Sequence, residues 1–131
     1  AHALGLPLIV WNYPRGRLIK DEMATEEIAY GARIAMELGA DMIKLKYNGD
    51  KEGFKWVLKC AGRAKVIISG GKRTDDREFL QKLHDAMDLG AAGIAVGRNA
   101  WQHDKPYSMT RAMNDIIFEG KSVDEAMKRF E

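Results

Sequence analysis

Cysteine, histidine and proline are all scarce in this chain. One cysteine and three histidines stand among 131 residues. The lone Cys60 forms no internal disulfide, and no His, Cys or carboxylate cluster has metal-ligand spacing. A disulfide framework is excluded, and no metal is expected. Cys60 falls in an amphipathic helical pattern and reads as a small buried apolar residue. No run of about 18 apolar residues exists, so nothing reads as membrane-spanning. Ala1-His2-Ala3-Leu4-Gly5 lacks a basic region followed by a long apolar stretch and does not read as a signal peptide. An excess of one charge sign is also missing: 21 Lys and Arg face 19 Asp and Glu. That balance gives no case for a nucleic-acid or polyanion partner. A cytoplasmic globular protein is the expectation.

What is present suits one domain. Hydrophobic residues make up 46% and charged residues 31%, ordinary values for a chain that buries a core. Four strand–helix units follow one another. The first strand spans Leu6 to Tyr13, and its run Leu8-Ile9-Val10-Trp11 predicts a parallel strand covered on both faces. Pro7 sits at its entry, and Pro14 and Gly16 end it. Thr25 reads as the N-cap of a helix from Glu26 to Leu38, with Ile28, Ala32, Ala35, Met36 and Leu38 inward and Gly39 as its stop. The second strand is Asp41 to Tyr47, ended by Asn48-Gly49-Asp50. A helix over 51–61 follows, with Phe54, Val57 and Leu58 inward. The third strand is Lys65 to Ser69. A helix from Asp75 or Asp76 carries Phe79, Leu80, Leu83 and Met87. The fourth strand is Ala92 to Val96. A last helical region covers 108–118, and Ser122 with Glu125 has the spacing of a capping box for a short helix over 123–130.

The units repeat every 24 to 35 residues or so, the size of a βαβ repeat, and predict an α/β architecture with a parallel sheet. A closed eight-stranded barrel typically takes about 250 residues. Four strands alone would leave two open edges. An open flavodoxin-like sheet, a half barrel pairing with a second copy, and part of a longer chain are the alternatives. The first five residues read as the tail of a helix capped by Gly5, which favours the last.

The second strand carries the oddest pattern. Met42, Lys44 and Lys46 share one face, and Ile43, Leu45 and Tyr47 the other. A lysine pointing into an enclosed site is a candidate amine nucleophile toward a carbonyl. Lysines that snorkel from the end of a strand are the plainer alternative. In α/β sheets function gathers at the carboxyl ends of the strands. There the chain has Ser69-Gly70-Gly71 and Gly97-Arg98. Glycines let backbone N–H groups approach an anion, and an arginine fork suits phosphate oxygens. Two tight turns needing glycine would look the same. Trp11 and Tyr13 share a face beside the lysine strand, which offers a phenol for proton transfer or a packed aromatic pair. Among the histidines, His84 reads as helix packing and His103 as a rim residue near the fourth strand end.

Four ordered runs carry a more specific resemblance. They are Leu6-Pro7-Leu8-Ile9-Val10-Trp11-Asn12-Tyr13-Pro14-Arg15-Gly16, Gly39-Ala40-Asp41-Met42-Ile43-Lys44-Leu45-Lys46-Tyr47, Ser69-Gly70-Gly71 and Ala95-Val96-Gly97-Arg98-Asn99-Ala100-Trp101-Gln102. Together they resemble the archaeal-type class I fructose-bisphosphate aldolases, (β/α)₈ barrels related to deoxyribose-phosphate aldolase. The similarity covers essentially all 131 residues and the C-terminal half of the family's barrel. It implies a single half-barrel domain over 1–131, part of a larger barrel chain or assembly. It also implies reversible cleavage of fructose 1,6-bisphosphate into dihydroxyacetone phosphate and glyceraldehyde 3-phosphate. A related Schiff-base transferase acting on sugar phosphates, or a half barrel that binds phosphate without turnover, are the alternatives.

By the same resemblance Lys44 is the Schiff-base lysine, Tyr13 the acid/base tyrosine and Trp11 the indole that shapes the substrate pocket. Arg15, Ser69, Gly70, Gly71, Gly97 and Arg98 correspond to substrate- and phosphate-binding positions. Lys46 becomes an electrostatic neighbour that helps keep Lys44 deprotonated. No cofactor and no metal are implied, since the iminium replaces a Lewis acid. The implied partners are a sugar phosphate and further copies of the chain, with no nucleic acid and no membrane. Two departures stand out. After Gly71 the family often has Pro-Lys, where this chain runs Lys72-Arg73-Thr74. An acidic residue on the family's first strand takes part in catalysis, and that strand has no counterpart here.

Overall fold

Regular elements begin where the apolar periodicity begins. The computed structural model describes all of residues 1–131. A 3-10 turn over His2–Leu4 is closed by Gly5 in the left-handed conformation. Four strands follow, β1 (Ile9–Trp11), β2 (Met42–Leu45), β3 (Lys65–Ser69) and β4 (Gly93–Ala95). They pair in the order β1-β2-β3-β4, all parallel. The helices α1 (Thr25–Glu37), α2 (Lys51–Cys60) and α3 (Asp76–Asp88) connect successive strands, and α4 (Arg98–Trp101), α5 (Pro106–Glu119) and α6 (Val123–Met127) follow the last. The chain is thus an α/β fold of four parallel βα units, as the spacing predicts. No helix is long and apolar enough to cross a membrane.

Register decides which side chains share a face. Val10 pairs with Ile43 and Ile43 with Val66, while Leu45 pairs with Ile68 and Ile68 with Ile94. This row meets the helices: Ile43, Leu45, Val66 and Ile68 are all buried. The helices answer with Ile28, Ala32, Ala35, Phe54, Val57, Phe79, Leu80 and Leu83, all buried. Full burial of one such large apolar side chain contributes about 1.5–3 kcal/mol. The opposite row is Trp11, Lys44, Ile67 and Gly93 in direct register. No helix covers it. Ile9 remains 50% exposed and Trp11 68%. The expectation that the first strand is covered on both faces is therefore corrected. Its continuous apolar run faces helices on one side and an uncovered sheet face on the other.

Other differences have local causes. Thr25 is the first residue of α1, not its cap; Ala24 holds the cap position without a side-chain bond. The Thr25 hydroxyl donates to Asp50 Oδ2 at 2.9 Å and accepts from Asn48 Nδ2 at 2.9 Å. A tertiary link between two loop ends has taken the hydroxyl from its local capping role. Leu38 is exposed rather than inward, because it sits at the helix end where the chain turns away. α5 starts at Pro106, where its missing N–H costs no helical bond. The one-turn α4 was not predicted, since four residues carry no periodicity. His103 does not rim the strand ends. Its ring meets Asp76 Oδ2 at 2.9 Å and packs on Phe130, so it joins α3 to the C-terminal segment. The predicted capping box of Ser122 and Glu125 is present in full.

One buried carboxylate carries no signal in the sequence pattern. Asp115 on α5 is only 2% exposed. Arg129 donates to both its oxygens at 2.6 and 2.9 Å, and Lys121 to one at 3.2 Å. The Arg129 bonds above all pull its pKa from 3.8 down to about 2, against burial and with help from Lys121. A depressed carboxylate contributes stability that is complete above its unfolded pKa and is lost as pH falls through the folded one. The urea midpoint is therefore expected to drop between pH 4 and pH 2. Asp115→Ala should lower the unfolding free energy at neutral pH by on the order of 1–2 kcal/mol and flatten that acid limb. Parallel acid limbs in the two proteins would refute the assignment.

Candidate active site

The uncovered face and the carboxyl ends of the strands converge on one concavity. Lys44 lies on β2 and Trp11 directly opposite on β1, so register alone brings them together. Lys44 Nζ stands 3.8 Å from the Trp11 ring centroid, a cation–π arrangement. Two residues beyond each of these, Lys46 Nζ stands 5.8 Å from the Tyr13 ring. A cavity of about 340 Å³ is lined by Tyr13, Lys44, Ser69, Gly70, Gly97 and Arg98 among others. Arg15 and Gly71 line it too. Trp11 makes its contact through Lys44. Lys44, Tyr13, Arg15, Ser69, Gly70, Gly71, Gly97 and Arg98 thus lie around one cavity, while Trp11 stands outside its lining.

Tyr13 is half-buried. Burial raises its phenol pKa, while a hydrogen bond with the Ser69 side chain and the charge of Arg15 pull the other way. The result is a phenol that holds its proton at neutral pH, beside an amine-bearing strand. The electrostatic role expected of Lys46 is corrected. Its ammonium lies 2.6 Å from Glu22 Oε2. That carboxylate also accepts from Arg15 Nε at 3.1 Å. Lys46 is therefore not a bare positive charge facing Lys44. The bond from Lys46, more than any other cause, holds the Glu22 carboxyl below the usual range.

The glycine loops require glycine for different reasons. At Gly70 a Cβ would stand 2.6 Å from Val96 Cγ2, and at Gly97 2.7 Å from Trp101 Cη2. At Gly70 the packed Val96 leaves no room for a side chain, while at Gly97 the exposed Trp101 ring would have to swing away. Gly71 has open space but a φ of +65°, a conformation that costs any residue with a Cβ. The β3 loop is held from across the site by Asn99, which is 2% exposed. Its Nδ2 donates to Gly70 O at 2.8 Å and Lys72 O at 3.3 Å, and its Oδ1 accepts from Thr74 N at 3.3 Å. Arg98 Nη2 donates to Gly71 O at 2.9 Å. Arg73 is turned to Gln102 O at 2.8 Å, whereas Lys72 lines an adjoining cavity.

The sequence reading named Asn99 only as part of a motif and Glu22 not at all. The partners of Asn99 are 25 to 29 residues away, beyond any local pattern. Glu22 lies in the connection between β1 and α1, which has no periodicity to read.

With the geometry in place, comparison with known proteins is decisive. Residues 1–103 match the model of the DeoC/LacD family aldolases. The chain belongs to this family. A class 1 fructose-bisphosphate aldolase of Thermoproteus tenax is 46% identical over 123 residues, covering 93% of this chain and 47% of that protein. The crystal structure of an archaeal fructose 1,6-bisphosphate aldolase superposes with a TM-score of 0.88 at 45% identity, over 91% of this chain and 48% of that one. Another archaeal fructose-1,6-bisphosphate aldolase structure, described with its catalytic Lys bound to the carbinolamine intermediate, gives 0.85 at 44% identity, over 88% and 47%. The chain spans about half the length of the relatives it matches. Its four βα units correspond to half of a barrel of the DeoC/LacD type. The open row on β1 and β2 is the lumen side of that barrel, which accounts for an uncovered face of such mixed polarity.

Proposed function

We propose that this DeoC/LacD-family chain carries the Schiff-base centre of a class I aldolase acting on fructose 1,6-bisphosphate. One observation carries the reading: Lys44 shares a cavity with a protonated phenol and with two glycine loops. That combination places an amine, a proton donor and an anion cradle within one small ligand's reach. The likeness to relatives named for this activity supports it. In this reading residues 1–131 form one half-barrel domain that works within a larger barrel, as one chain or an assembly.

In the forward direction Lys44 Nζ attacks the ketone carbon, and loss of water leaves an iminium. The bond between C3 and C4 breaks, its electron pair enters the iminium to give an enamine, and the C4 hydroxyl loses its proton. The aldehyde leaves, a proton returns to C3, and water releases the ketone and frees the amine. Tyr13 moves protons in these steps, since its raised pKa keeps the phenol loaded at neutral pH. Trp11 fixes the Lys44 chain by its ring face. Ser69, Gly70, Gly71, Gly97, Arg98 and Arg15 hold phosphate. Intact mass spectrometry after borohydride reduction with dihydroxyacetone phosphate tests the reading. An adduct located on Lys44 is expected; a clean reaction mixture with no adduct would sink it. Tyr13→Phe should slow cleavage by about 10²-fold while the adduct still forms. Unchanged cleavage would reduce the tyrosine to packing.

A further inference from the structure

A second and larger cavity opens beside the first. Its volume is about 520 Å³, and it shares Arg15, Lys46 and the Ser69-Gly70-Gly71 loop with the smaller one. The cations around it are not equally free. Arg98 is engaged by Gly71 O and Lys82 by Glu78. Lys72 has no carboxylate partner. Arg15 and Lys46 both converge on one oxygen, Glu22 Oε2. Glu22 is the one carboxylate in the lining. Lys46 is tethered on the rigid sheet end and its side chain is only 18% exposed, whereas Glu22 rides on a surface connection and is 45% exposed. Of the two cations Lys46 is the one fixed at the sheet end; Arg15, its side chain 71% exposed, rides on the same β1–α1 connection as Glu22, so the carboxylate can leave Lys46 as that connection moves.

We propose that Glu22 is an internal competitor at a second anion subsite: it occupies Arg15 and Lys46 when no ligand is bound and yields them to a phosphate dianion. The proposal rests on the aldolase reading above and adds to it how the phosphate far from the reacting ketone is selected. A carboxylate offers one charge and two oxygens. A phosphate monoester offers close to two charges and three oxygens, and an Arg–Lys pair binds it more strongly. Only a ligand with more charge than Glu22 displaces it, so monoanionic carboxylates are rejected and phosphorylated ligands accepted.

Titration with inorganic phosphate tests this on three proteins, wild type, Glu22→Gln and Glu22→Ala, with circular dichroism as the check of folding. Both variants are expected to bind phosphate about five- to ten-fold more tightly than wild type. Acetate should become a measurable competitor only in the variants. Unchanged or weaker phosphate binding in both variants, with wild type binding normally, would show that Glu22 orders the two cations rather than competing for them. That result overturns the competitor and leaves the aldolase reading intact. Absence of phosphate binding by all three would overturn the subsite and the phosphate role of the glycine loops together. The borohydride adduct on Lys44 is read independently of either, so the two failures are distinguishable.

Discussion

Arginine in place of Lys44 is expected to abolish borohydride-dependent capture of dihydroxyacetone phosphate and to lower aldol cleavage by at least about 10³-fold. A guanidinium stays protonated and has no lone pair to attack a carbonyl. The fold should tolerate the change. Lys44 projects from the uncovered face, where its main neighbour is the flat face of Trp11 at 3.8 Å, and arginine stacks on indole at least as well. The thermal midpoint should therefore stay close to that of the parent. Lys46→Arg is the matched control. It keeps the charge that faces Glu22 and should leave an adduct on Lys44. Mass spectrometry of the trapped peptides reads both. An adduct that persists in Lys44→Arg, or vanishes in Lys46→Arg, would move the nucleophile to the other lysine.

Removal of the Asn99 side chain is expected to be nearly as damaging, by a different route. Asn99→Ala withdraws the donor from two loop carbonyls, Gly70 O and Lys72 O, and the acceptor from Thr74 N. Each buried group left without a partner costs about 1–3 kcal/mol. Water entering from the open cavity recovers part of it, so a loss of about 2–4 kcal/mol is expected in urea denaturation. The loop it releases is the glycine loop, so phosphate affinity should fall by about ten-fold or more. Asn99→Asp separates the two effects. It keeps the volume and the bond from Thr74 N, but turns a carboxylate toward two carbonyl oxygens. Phosphate binding that survives in both variants would mean that the loop is held by Arg98 and its glycines alone.

How far the chain could be read in advance follows from the range of the signals. α2 and β3 were predicted to within a residue, because a helix period and an apolar run are local properties. The start of α3 at Asp75 or Asp76 and the Ser122 capping box were visible for the same reason. Thr25 failed as a cap because its hydroxyl is claimed by Asp50, on the next loop. Asp115 gave no sign of burial because the arginine that pairs with it lies in another element. Lys46 looked like a free charge because Glu22 stands 24 residues before it, in an irregular connection.

By itself, then, the order of residues determined the α/β repeat, the split of β2 into an apolar and a lysine-bearing face, the placing of glycines at two strand ends and the family resemblance. Each follows from periodicity or from short motifs, which act over a few residues. The tertiary structure alone decided which of those residues meet. Parallel register put Trp11 against Lys44, and the β1–α1 connection carried Glu22 back to the strand ends. Asn99 reached across to hold a loop 25 to 29 residues away. Such contacts depend on strand pairing and on how each connection crosses the sheet, and no pattern along the chain encodes a distance between elements that only folding brings together.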